Sequence, residues 1–274
     1  KLITAQEITI ARPFYDQVNG PIMLALIMLM GIGPLIPWRQ ASVVTLCKSL
    51  MWPIIVGFIV VVIISLIGFT KLYPLIGYGI AGMVTTGITI EWVNGCRSRR
   101  LAFRESYPLA FVKLLMANRP RYGGYIVHIS ILLVALGVVG INFYQVKIDK
   151  VVSVGERIEI GNYKIEIAEI NENNFNDRRE KVATFLILDS NENIVNTLEG
   201  NNTFYPTFNM ASIRAGILSS PIEDLYIIPS DFIDNDTMKL IISINPLVWW
   251  MWVGGPIFIL GTLISLWPRN FNKS

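Results

Sequence analysis

The chain holds a single histidine, His128, and it lies in a segment where a titratable side chain is costly. The segment opens with Arg119 and Arg121 and a Gly123-Gly124 hinge, then runs apolar to Tyr144. About twenty such residues cross a hydrocarbon core of roughly 30 Å. An ionisable group inside such a span is a functional candidate by default. A neutral imidazole there can ligate a metal, relay a proton or hydrogen-bond a neighbouring helix. Haem iron accepts a histidine nitrogen, and apolar helices suit a porphyrin face. With one histidine in the chain, a bis-histidine iron would take its second ligand from elsewhere. His128 lies about five residues into the span, roughly 7 Å inside its cytoplasmic edge, and Arg119 and Arg121 end just below it. They suit haem propionates or acidic lipid heads.

Other chemistry-bearing residues have plainer explanations. Glu91 precedes a run of arginines, and a local ion pair with them accounts for it. Trp249, Trp250 and Trp252 stand at one mouth of the last apolar run, where aromatic belts are ordinary. Asp224-Leu-Tyr226 fits either a packing corner or a docking surface. Cys47 and Cys96 are far apart and lack metal or disulfide spacing. No phosphate-binding loop, nucleophile elbow or paired acid/base carboxylates stand out. The basic clusters follow membrane edges, which argues against nucleic acid as a partner.

These residues must be positioned by membrane helices. Charged residues make up 16% of the chain, against about 25% in soluble domains. Mean hydropathy is +0.51. Five apolar runs are predicted to span: residues 21–38, 52–69, 75–93, the His128 segment, and 246–266. Gly31, Gly33, Pro34 and Pro37 predict a kinked or frayed end to the first. Gly77, Gly79, Ala81, Gly82 and Gly87 predict close helix approach in the third. Between the third and fourth lies the most basic loop, residues 94–122, with a short amphipathic helix predicted over Pro108–Met116.

From Gln145 the pattern changes to alternation, as in Arg157-Ile-Glu-Ile-Gly161 and Tyr163-Lys-Ile-Glu-Ile-Ala-Glu-Ile170. Such stretches, and Val182–Leu188, predict strands with one wet face. Asn-rich residues 171–177 and 191–202 predict turns. The fold class expected is a polytopic α-helical membrane protein with an inserted small β-rich extracytoplasmic domain. Its predicted parts are a four-span region over residues 1–144, the β-rich domain over 145–245, and a last span with a polar tail over 246–274. Short-loop Lys and Arg gather in 39–51, 94–122 and the tail, which places those segments in the cytoplasm and the β domain outside. The first residue is not Met and the first ten do not read as a signal peptide, so the chain is expected to be a piece of a longer protein.

Several stretches in this order resemble the CcmF family, the cytochrome c-type biogenesis haem lyases, in its C-terminal half. They are Pro13-Phe-Tyr15 with Gly31-Ile-Gly-Pro-Leu-Ile-Pro-Trp-Arg39, then Glu91-Trp-Val-Asn-Gly-Cys-Arg-Ser-Arg99. Arg121-Tyr-Gly-Gly-Tyr-Ile-Val-His128 follows, then Asp224-Leu-Tyr226 and Asn245-Pro-Leu-Val-Trp-Trp-Met-Trp-Val-Gly-Gly255. Asn94 departs from the arginine usual there. The resemblance implies attachment of haem to the thiols of apocytochrome c. It implies a transmembrane haem b on two histidines, His128 matching one and the other lying outside this chain. It implies quinol as the electron donor, and a bacterial inner membrane with the β domain in the periplasm. Expected partners are CcmH-type and CcmI-type subunits, the CcmE haem chaperone, apocytochrome c and membrane lipid. The family's tryptophan-rich haem-presenting segment is absent, so no catalytic residue is assigned to this chain. The residues alone leave open a non-enzymatic scaffold, in which His128 only hydrogen-bonds across helices. A transporter fits less well, for want of an intramembrane acid pair.

Overall fold

The structure is a computed structural model that describes residues 12–33, 43–189 and 192–268. Two compact units share the chain, and their division falls within two of the helices. The first unit, residues up to 134 and from 253 on, is helical. It contains α1 (Arg12–Ile32), α2 (Val43–Leu66), α3 (Leu72–Phe103), α4 (Tyr107–Ala117), and parts of α5 (Arg119–Tyr144) and α6 (Val248–Leu266).

Four described helices are long and apolar enough to cross a membrane: Leu46–Leu66 within α2, α3, α5 and α6. The apolar part of α1, Val18–Ile32, is shorter, and the Pro34 and Pro37 end of that run lies outside the described residues. Glycines set the helix spacing. A Cβ on Gly57 would stand 2.6 Å from the Gly79 carbonyl oxygen, so α2 and α3 touch at their backbones. Gly123 and Gly261 do the same for α5 and α6: a Cβ on Gly123 would lie 2.7 Å from the Ser265 nitrogen. Lipid supplies no hydrophobic drive between helices, so such close packing is what holds them. Val84 and Ile88 of α3 meet Tyr122, Tyr125 and Leu132 of α5 in the buried centre of this unit.

The basic stretch 94–122 is not a loop. α3 continues through Arg97, Arg99 and Arg100 to Phe103, and α4 and α5 follow after short connections. Arginine is a good helix former, and nothing in 94–103 breaks the helix beyond the single Gly95. The Arg104 amide caps the Arg100 carbonyl at 2.8 Å with Arg104 in the left-handed region, which ends the helix. The amphipathic helix expected over 108–116 is α4.

The second unit, residues 135–252, is built on nine antiparallel strands among the described residues. They are β1 (Val146–Ser153), β2 (Arg157–Ile160), β3 (Tyr163–Asn174), β4 (Arg179–Leu188), β5 (Ile194–Tyr205), β6 (Met210–Arg214), β7 (Gly216–Ser219), β8 (Glu223–Phe232) and β9 (Thr237–Pro246). One sheet runs β1-β9-β8-β7 and the other β2-β3-β4-β5-β6. Each contributes alternate residues to one core: Ile165, Ile167, Ala183 and Phe185 from one sheet, Leu225, Ile227, Leu240 and Ile242 from the other. Gly161, with φ +56°, makes the two-residue turn of the β2–β3 hairpin.

The asparagine-rich turns are corrected in part: the β3–β4 turn falls at 175–178 and Asn193 closes the β4–β5 turn onto Asp189, but the rest of each described stretch is strand. Residues 171–174 extend β3, and Asn196, Asn201 and Asn202 lie within β5. Asn201 donates to the Glu180 carboxylate on β4 at 2.5 Å, and Asn202 to the Ser230 carbonyl at 3.3 Å. Cross-strand pairing and these bonds outweigh a local preference for turns.

Candidate functional site

His128 lies two turns into α5 from Arg121, about 10 Å along the axis. The helix turns by about 100° per residue. That rotation puts Tyr122, Tyr125, Ile129 and Leu132 on the face toward α3, and Gly123, Val127 and Val134 on the face toward α6. His128 falls on the shoulder between them and is half-buried. Its Nδ1 is buried and has no hydrogen-bond partner among the described residues. The Tyr125 ring is its aromatic neighbour, with centroids 6.5 Å apart. Buried ring nitrogens are normally satisfied, so this atom calls for an explanation.

Below the histidine a polar ladder runs between two helices. Arg121 donates from Nε to the Tyr125 hydroxyl at 2.8 Å, and an Nη pairs with the Glu91 carboxylate of α3. The partner of Glu91 is therefore Arg121, thirty positions away, and not the arginines just after it. α3 and α5 meet there, and Gly95 gives room for Tyr122, whose hydroxyl would be 2.7 Å from a Cβ at that position. Arg119 points elsewhere, donating to the Pro268 carbonyl at 3.2 Å. The structure thus brings Glu91, Arg121, Tyr125 and His128 into one line and leaves Arg119 outside it. Trp92, next to Glu91, stacks edge-on with Phe111, and its indole nitrogen is buried without a partner among the described residues.

The residues fit a haem ligand in one respect and constrain it in another. A buried imidazole nitrogen without a partner on an apolar helix suits an axial ligand role. Arg121 already serves two protein groups, whereas Arg119 gives one hydrogen bond among the described residues. Among the described residues no three His, Cys, Asp or Glu side chains group to hold a bare metal ion.

The other candidates lie in the second unit. Trp249 and Trp250 meet edge to face with centroids 5.1 Å apart, and Trp252 is exposed. Asp224 is fully buried on β8; its Oδ1 accepts from the Ser220 amide at 3.3 Å, and its Oδ2 has no partner among the described residues. Beside it Leu247, at φ +63°, donates its amide to the Ile222 carbonyl at 2.8 Å. Gln145 donates to the Asn245 side chain at 2.5 Å. Burial first, then the Glu223 carboxylate, pushes the Tyr163 phenol up to about 12. Burial, then Asp224, also raises Tyr226. Asp224-Leu-Tyr226 therefore behaves as a packed corner of the sandwich, Leu225 being fully buried beside Asp224.

Sequence reasoning missed the Glu91–Arg121 pair and the place of Tyr125. One signal was available, since Arg121 and Tyr125 are four apart and so share a helix face.

Residues 143–246 match the family model described as the CcmF C-terminal beta-sandwich. The cytochrome c-type biogenesis protein CcmF of Haemophilus influenzae is 25% identical over 270 residues, covering 96% of this chain and 40% of that protein. The Escherichia coli protein of the same name is 23% identical over 267 residues, covering 97% and 39%. A solved structure titled Cytochrome c Heme Lyase CcmF superposes with a TM-score of 0.75 at 25% identity, over 94% of this chain and 41% of that one. The chain thus spans about two-fifths of the length of these relatives. Residues 143–246 thus carry a CcmF C-terminal beta-sandwich, and along nearly its whole length the chain is similar to the C-terminal part of CcmF cytochrome c-type biogenesis proteins.

Proposed function

We propose that this chain is the part of a cytochrome c haem lyase that holds a transmembrane haem b through His128. The observation that carries the reading is the buried Nδ1 of the chain's single histidine, which has no partner among the described residues and lies on an apolar helix. The names of the relatives, a cytochrome c biogenesis protein and a haem lyase, support it.

When bound, haem supplies a one-electron iron couple. His128 would supply a ring nitrogen to hold it, and a second histidine would have to come from outside this chain. Close α5–α6 packing at Gly123 and Gly261 holds the helix that carries His128. Tyr125 holds the ring from below, and is itself held by Arg121 and Glu91. Arg119 and Arg121 would be the groups to hold its propionates, Arg121 while keeping Glu91. The β sandwich lies in the periplasm and offers a docking face to CcmH-type and CcmI-type subunits, the CcmE chaperone and apocytochrome c. Quinol supplies the electrons, and thioether formation takes place outside this chain.

The test is optical. The full-length protein purified with its partners should show a Soret band, and His128→Ala should lose most of it. A colourless wild type, or an unchanged band in the variant, would refute the reading and favour a scaffold.

A further inference from the structure

We propose that the end of α3 is a binding site for a phosphate group, presented by the headgroup of an anionic phospholipid. Arg97, Arg100 and Arg104 line a recess of about 370 Å³ with Leu101, Glu105 and Tyr107. Arg97 and Arg100 are three apart on one helix face, and Arg104 is the cap. Among the described residues no carboxylate pairs with any of the three. Glu105, the acid in the recess, is taken by Arg99 at 2.8 Å and Lys113 at 2.7 Å. The recess therefore carries an uncompensated positive charge.

Two ordinary explanations fall short. A helix C-terminus carries roughly half a negative charge, which is too little for three guanidinium groups. A topological bias toward basic residues needs charges near the membrane edge but no shared cavity. Two of the arginines are also pre-set. The Arg100 guanidinium lies 3.8 Å from the Tyr107 ring centroid, and its Nε donates to the Glu105 carbonyl at 3.2 Å. Its outer nitrogens thus remain free to fork onto phosphate oxygens. Arg104 sits at φ +54°, a position that glycine or asparagine fills at less cost.

The depth suits a lipid. Counted from Leu72, about twenty residues cross the hydrocarbon and reach Glu91. Arg97 lies about 9 Å further along the axis. Helical side chains lean toward the N-terminus, so the arginines reach back to the headgroup layer.

The test uses the full-length protein in nanodiscs of phosphatidylcholine with or without phosphatidylglycerol. Phosphatidylglycerol retained after detergent washing is then counted by mass spectrometry. Wild type should retain it, and Arg97→Gln/Arg100→Gln/Arg104→Gln should bind it on the order of a hundredfold more weakly. The triple lysine variant checks folding and should keep part of the retention. The charge-matched control Arg178→Gln/Arg179→Gln/Lys181→Gln in the β sandwich should retain it fully. Equal retention by the glutamine variant, or equal loss by the control, overturns the proposal. In a lipid-free arm, inorganic phosphate that protects wild type as well as phosphatidylglycerol does would keep the phosphate site and overturn its lipid occupant.

Discussion

Gly123 and Gly124 are neighbours in sequence, yet one methyl group should have opposite effects at the two positions. On Gly123 it would meet the α6 backbone: 2.7 Å from the Ser265 nitrogen, 2.9 Å from its Cα and 3.0 Å from the Gly261 oxygen. Ordinary contact begins near 3.4 Å, so α6 must retreat by several tenths of an ångström, and backbone cannot swing aside as a side chain can. Overpacking of this kind costs about 1–3 kcal/mol. On Gly124 the same methyl meets nothing within 4 Å. There, helix propensity favours alanine over glycine by up to about 1 kcal/mol. The two variants should thus differ by about 1–4 kcal/mol. At roughly 2–4 °C per kcal/mol, that is a Tm gap of about 2–16 °C between Gly123→Ala and Gly124→Ala. Thermal unfolding of the full-length protein in one detergent, followed by circular dichroism, measures it. Equal melting temperatures, or a less stable Gly124→Ala, would refute the backbone contact between α5 and α6. The same contact orients the helix that bears His128, so Gly123→Ala should also weaken the Soret band and Gly124→Ala should not.

Hydrogen bonds from Lys113, then Arg99, hold the Glu105 carboxyl below its ordinary value of 4.5. A depressed folded-state value stabilises the protein above the unfolded one, and that stability is lost as pH falls through the folded value. Melting temperature should therefore fall more steeply below about pH 4.5 in wild type than in Glu105→Gln, as pH-resolved melting curves would show. In the sandwich, Phe185 is wholly buried between the sheets, and Phe185→Ala should cost about 3–5 kcal/mol, measured by denaturant unfolding. Asn201→Ala removes the donor to Glu180 on a half-exposed strand and should cost about 1 kcal/mol in the same assay.

What could be read from residues alone was what depends on a stretch by itself. The length of an apolar run decides whether it can cross a bilayer, so the helices of α2, α3, α5 and α6 were legible. Period-two alternation made β2, β3 and β4 legible, since a half-wet strand needs it. The isolation of His128 in an apolar segment was equally plain. Tertiary structure alone decided what depends on a distant partner. Nothing near Glu91 says that it reaches Arg121 on another helix. The asparagines of β5 look like turn residues until β4 pairs with them. Gly123 and Gly124 are equivalent on paper, and only the position of Gly261 and Ser265 separates them. Hydropathy and periodicity are sums over neighbours along the chain, whereas pairing and close packing are fixed by which segments meet in space.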